Sequence, residues 1–163
     1  MKRSLDAFNR VARRIGPLLD KHNLEVLVGT WVNSSVLKVQ RRSWTEAQRV
    51  PGSKHTGIFF SVWVTEQSLK KKQALYNIHA LCLRSLPAYT LQSREFAAAF
   101  RAQFADQKNG WPGVSVEYGP QTLMQGWVPL DEKLFEKDVE RLVRLFIPLA
   151  DAIDALLEAR KSV

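Results

Sequence analysis

The sequence predicts an α+β fold: one two-layer domain over residues 1–163, an antiparallel sheet of about six strands with helices packed on it, in the order α-β-β-β-β-α-β-β-α. Three observations lead there. Apolar residues recur at three- and four-residue spacing near the start, around Phe96–Phe104 and near the end, which is the period of a helix with one buried stripe. Between these stretches lie short runs rich in Val, Ile, Phe, Trp and Tyr, the composition of strands. The linkers between the runs are too short for crossovers, so neighbouring strands must pair antiparallel.

Ser4 is placed to cap a first helix running to about His22, with Leu5, Phe8, Ala12, Ile15 and Leu19 on its inner stripe and Arg10, Arg13, Arg14 and Lys21 opposite. Gly16-Pro17 predicts a bend or break. Leu24–Val32 and Ser35–Trp44 read as strands around a tight turn at Asn33-Ser34, followed by a loop from Thr45 to Thr56. Gly57–Glu66 and Gln73–Arg84 form a long hairpin whose tip is the basic segment Gln67–Lys72. Ser93 is placed to cap a helix with Phe96, Phe100 and Phe104 in register, stopped at Asn109-Gly110-Trp111-Pro112-Gly113. Val114–Tyr118 and Thr122–Val128 read as two more strands. Asp131 is placed to cap a final helix carrying Leu134, Asp138, Val139, Leu142, Val143 and Phe146, with a kink or restart at Pro148.

The central hairpin does not alternate between apolar and polar. Ile58, Phe60, Val62 and Val64 share one face with Tyr76, Ile78, Ala80 and Cys82, yet the other face holds Phe59, Trp63, Leu75, Leu81 and Leu83 as well. An antiparallel sheet with a solvated face carries polar residues there, so this pattern predicts a cover on both faces. Three covers fit: helices on both sides, a second copy of the chain in a homodimer, or a ligand in a cleft whose polar groups are Ser61, Trp63, Asn77 and His79.

Composition narrows the class. A chain of 163 residues with 45% apolar content supports one folded core. Its longest apolar runs fall far short of the ~20 residues of a membrane span, and no apolar stretch follows Met1-Lys2-Arg3, so neither a membrane anchor nor a secretory signal is expected. The lone Cys82 cannot form an internal disulfide, which points to the cytoplasm. Five tryptophans and eight phenylalanines supply large rigid pieces for the core.

Catalytic and metal signatures are missing. His22, His55 and His79 have no metal-ligand spacing, and an odd offset separates His79 from Cys82 on its strand. The strands offer no carboxylate cluster for divalent ions, and no Gly-rich phosphate loop is present. The sequence therefore points away from an enzyme and predicts no catalytic residue, metal or cofactor. Gly119–Trp127, with Gln121 and Gln125 between glycines, reads as a structural hairpin.

Charge is the clearest functional signal. Residues 1–84 carry fifteen Lys/Arg against five Asp/Glu, and residues 85–163 carry nine against eleven; +10 and −2 make the net +8. A half this basic predicts an acidic partner, a protein or a nucleic acid, with Arg41, Arg42, Arg49, Lys54, Lys70, Lys71 and Lys72 as the contact residues. Trp31 and Trp44 flank one cluster, as single-stranded nucleic acid would require, although no known nucleic-acid module is visible. The element order resembles that of small secretion chaperones and other two-layer binding modules, a likeness of fold alone; those chaperones are acidic, whereas this chain is basic. The expected function is a non-enzymatic, cytoplasmic binding or adaptor module, a homodimer with no membrane contact. The alternative is a small-ligand-binding protein or enzyme using the Ser61, Trp63, Asn77 and His79 pocket.

Overall fold

The computed structural model describes residues 2–45 and 57–162. Helix α1 spans Lys2–Lys21, and strands β1 (Glu25–Trp31), β2 (Ser34–Gln40) and β3 (Gly57–Val64) follow. A short helix α2 (Glu66–Lys70) leads into β4 (Gln73–Leu81); then come α3 (Ser93–Phe104), β5 (Thr122–Pro129) and α4 (Phe135–Glu158). The fold is α+β, and the five strands form one antiparallel sheet in chain order, β1-β2-β3-β4-β5.

Five strands stand where about six were expected. Residues 114–118 make a single bridge, Ser115 to Gln125, instead of a strand. The hairpin tip is also not a plain loop: Thr65 and Ser68 form a reciprocal capping box that starts α2. Ser4 is buried inside α1 rather than capping it, and Ser93 supplies no cap to α3. Asp131 shapes a turn ahead of α4, accepting from the Lys133 amide at 2.8 Å, and Leu134 precedes the helix and is exposed. Both α1 and α4 run on through Pro17 and Pro148. Each proline is exposed, and so are Arg13 and Arg144 four residues earlier, so the carbonyls released from the helix ladder can be hydrated. The second strand stops at Gln40, because Arg42–Trp44 turn as a 3₁₀ helix that drives the Trp44 ring into the core.

Helices α1, α3 and α4 all pack on one face of the sheet. Phe60 of β3 stacks on Phe146 of α4 at 5.0 Å, and Phe8 of α1 meets Phe135 of α4 at 5.5 Å. Trp111, just beyond α3, touches Phe60, Tyr76 and Phe104 and so ties that helix to the same layer. Gly126 is required here, since a Cβ would strike the Tyr76 hydroxyl, which donates to the Pro112 carbonyl at 2.6 Å. Burial pushes the Tyr76 phenol above its ordinary pKa.

The two halves of unequal charge meet along α1 and α4. Arg3 pairs with Glu132, Arg10 with Glu136, and Arg14 with both Glu136 and Glu140. Both numbers rise together, so the helices run parallel. Arg10 and Arg14 hold the Glu136 carboxyl below its ordinary pKa. No described helix is long and apolar enough to cross a membrane.

Candidate binding face

The other face of the sheet has no helix over it among the described residues, so of the three covers that fit the sequence the first, helices on both sides, is not the one found there. Alternation puts Leu27, Gly29 and Trp31 of β1 on this face with Val36 and Lys38 of β2, Phe59, Ser61 and Trp63 of β3, and Leu75, Asn77 and His79 of β4. Gln125 and Trp127 complete it from β5.

The register sorts these side chains into rows across the strands. One row is Gly29–Val36–Trp63–Leu75–Trp127, and the Trp31 ring folds back over Gly29, 3.1 Å from where a Cβ would stand. The row is thus apolar from edge to edge, spanning four strand gaps of ~4.8 Å, about 19 Å in all. Trp31 is 42% exposed and Trp127 43%, and Trp63 is half-buried between them. Of the five tryptophans, only Trp44 and Trp111 belong to the core.

The next row, Leu27–Lys38–Ser61–Asn77–Gln125, is polar at its centre. Ser61 Oγ donates to Asn77 Oδ1 at 2.6 Å, and Asn77 Nδ2 lies 2.9 Å from His79 Nε2 and 3.5 Å from Gln125 Oε1. His79 Nδ1 lies 3.4 Å from the Gln121 carbonyl. With the ring proton on Nδ1 the chain closes: hydroxyl to amide, amide to imidazole, imidazole to backbone. Desolvation, assisted by Lys38, lowers the His79 pKa and favours that neutral ring. Arg101 of α3 fixes the far end, donating to the carbonyls of Tyr118, Gly119, Thr122 and Leu123.

The four residues assigned to a pocket therefore come together on one face, Ser61, Asn77 and His79 as links of a polar chain and Trp63 in the apolar row. Ser61 and Asn77 are buried, and the Ser61 hydroxyl is directed at an amide oxygen, which cannot take its proton. Two clefts of about 450 and 400 Å³ lie elsewhere. One is at Asn23, Glu25, Arg41 and Arg42, and the other at Val32, Ser34, Thr65 and Lys70.

Among the described residues, the expected basic contacts do not converge on one face. Arg41 is partly buried just past the end of β2, where its guanidinium meets Asp151, Asp154 and the carbonyls of His22 and Ala150. It fastens β2 to α1 and α4, and Trp44 Nε1 joins by donating to Asp154 at 2.7 Å. Arg42 pairs with Glu25. Lys70, Lys71 and Lys72 stand at the opposite end of the sheet, exposed and without an ion-pair partner among the described residues. Arg49, Lys54 and His55 lie outside the described residues.

The lysine tip is at the end of the sheet nearest the aromatic row, whose Trp63 and Leu75 lie two residues from Thr65 and Gln73. Val36, Leu75 and Trp127, with Trp31 over Gly29, join Trp63 in one row only through strand register, which no local pattern in the sequence displays. Comparison with protein-family models, with curated proteins and with solved structures finds no match to this chain.

Proposed function

We propose that this chain is a non-enzymatic binding module, basic and cytoplasmic, whose helix-free sheet face receives an acidic amphipathic protein segment. The carrying observation is the apolar row spanning all five strands, bordered at the near tip by Lys70, Lys71 and Lys72. An α-helix of about 13 residues covers a 19 Å row at 1.5 Å per residue. Its apolar stripe would meet Trp31, Trp63 and Trp127, and its carboxylates the lysines.

The choice of protein over nucleic acid follows from the same row. Val36, Leu27 and Leu75 suit aliphatic side chains, and among the described strand residues Lys38 is the one cation on the face, too few to track a phosphate backbone. The free thiol of Cys82 accords with a reducing compartment.

The test is binding of a designed Glu/Leu amphipathic helix, with an oligothymidine strand as the competing probe. The account expects the peptide to bind, binding to weaken as salt rises, and affinity to fall about tenfold or more in Trp63→Ala. Replacing Lys70, Lys71 and Lys72 with Ser removes most of the salt dependence. Binding of oligothymidine alone, or peptide binding indifferent to both sets of changes, overturns the reading.

A further inference from the structure

The sheet has two edges, and they are treated differently. The β5 edge is sealed: Ser115 and Gln125 exchange backbone hydrogen bonds of 2.8 and 3.0 Å, and the chain from Trp111 to Ser115 wraps that edge with Gly113 against the Trp127 ring. A register irregularity at Ile78/His79 and Pro129 at the strand end further discourage pairing there. Among the described residues the β1 edge has none of these devices. Its sequence, Glu-Val-Leu-Val-Gly-Thr-Trp, holds no proline or lysine, and its one charge, Glu25, sits at the end and is engaged by Gln40 and Arg42.

The peptide groups on that edge can be assigned. Val32 and Asn33 both take positive φ, 47° and 60°, forming a two-residue loop of the type whose flanking pair, Trp31 and Ser34, is hydrogen-bonded. Alternation then turns the N–H and C=O of Trp31, Gly29, Leu27 and Glu25 toward β2, and those of Val26, Val28 and Thr30 outward. No described backbone group meets these three outward residues. Three consecutive outward pairs of donor and acceptor are the template for one more antiparallel strand.

We infer that the strand completing this edge is β1 of a second copy, so that two five-stranded sheets join into one across a two-fold axis at Val28. This register matches all three outward residues: Val28 with Val28, and Val26 with Thr30 in both directions. It also accounts for two exposed apolar groups on the open face. Leu27, 39% exposed, comes opposite the Gly29 of the other copy, beside the Trp31 ring folded over that glycine. No like charges face each other in this register, since Glu25 comes opposite Trp31. On the helix side, the flank of α1 turned away from the arginines that meet α4 carries Leu5, Ala12 and Gly16, and nothing stands within 4 Å of a Cβ at Gly16. That flank leaves room for the second α1. The join extends the sheet sideways and leaves Val36, Trp63, Leu75 and Trp127 uncovered; it shares Leu27 and Trp31 with the proposed peptide site, and Thr30→Pro, which changes no residue of that face, separates the two.

Light scattering of the full chain across the micromolar range tests it, together with three variants. The wild type is expected at twice the 18.6 kDa chain mass. Thr30→Pro removes an outward N–H without touching the β1–β2 ladder and is expected to run as a monomer with unchanged circular dichroism and Tm. Leu27→Lys, on a half-exposed site, is expected to do the same. Val28→Cys in a Cys82→Ser background is expected to cross-link to itself on oxidation, because paired Cα atoms about 5.5 Å apart fall within the ~4.4–6.8 Å range of a disulfide. A wild type of monomer mass throughout overturns the inference. So does a dimer that persists in both Thr30→Pro and Leu27→Lys and yields no Val28→Cys cross-link.

Discussion

Phe60 and Trp63 lie three residues apart on β3 and face opposite ways. Phe60 is fully buried, stacked on Phe146 and edge-on to Trp111. Trp63 is half-buried in a row of apolar side chains that no described helix covers. Two residues of similar chemistry on one strand thus serve different ends, one holding the layers together and the other presenting a surface. Apolar composition alone does not distinguish them; the placement of α1, α3 and α4 does.

The largest expected difference between the faces is in stability. Phe60→Ala empties a site between Phe146 and Trp111 and is expected to cost about 3–5 kcal/mol in urea unfolding. Trp63→Ala is expected to cost about 1 kcal/mol, since much of its surface is already wet. Equal costs would mean that both faces are core. Next in size is Asn77→Ala, which strips partners from Ser61 Oγ and His79 Nε2 in the polar row and is expected to cost about 1–3 kcal/mol. A loss no larger than that of an exposed substitution would show that the row is solvated.

The pH dependence sharpens the same point. The folded-state pKa of His79 lies below its ordinary 6.5, so the unfolded chain takes up the proton first. Its contribution is fully present above 6.5 and is lost as pH falls through the lowered folded value. The carboxyls of Glu136 and of Glu95, the latter held below its ordinary range by the hydrogen-bonded Arg160 guanidinium, act in the same direction further into acid. His79→Gln should flatten the first part of that decline, read from unfolding midpoints; an unchanged slope contradicts the desolvated neutral ring. The smallest effect belongs to the α1–α4 ladder. Arg10→Gln and Arg14→Gln are expected to cost under ~1 kcal/mol each, less in high salt, because these pairs are largely exposed.

Much of the helix-covered face was legible in the sequence. The Phe96, Phe100 and Phe104 spacing and the hairpin of β3 and β4 depend on local period, and the structure keeps both. What the sequence hid depends on distance along the chain. Arg10 and Glu136 are 126 residues apart, so part of a charge imbalance that suggested a partner is spent within the fold. Arg41, expected on a binding surface, is instead partly buried and paired with the α4 carboxylates Asp151 and Asp154. The aromatic row requires four strand registers at once, and no local pattern supplies them. The capping box of Thr65 and Ser68 was present in the sequence, in a segment whose three lysines suggested a loop.

The five tryptophans give the most direct test of the binding face. Their indole N–H signals, followed by NMR while the Glu/Leu helix is added, report both faces in one spectrum. The account predicts that Trp31, Trp63 and Trp127 shift while Trp44 and Trp111 stay in place. Shifts shared by all five, or none at Trp63 and Trp127 with the peptide bound, would contradict it.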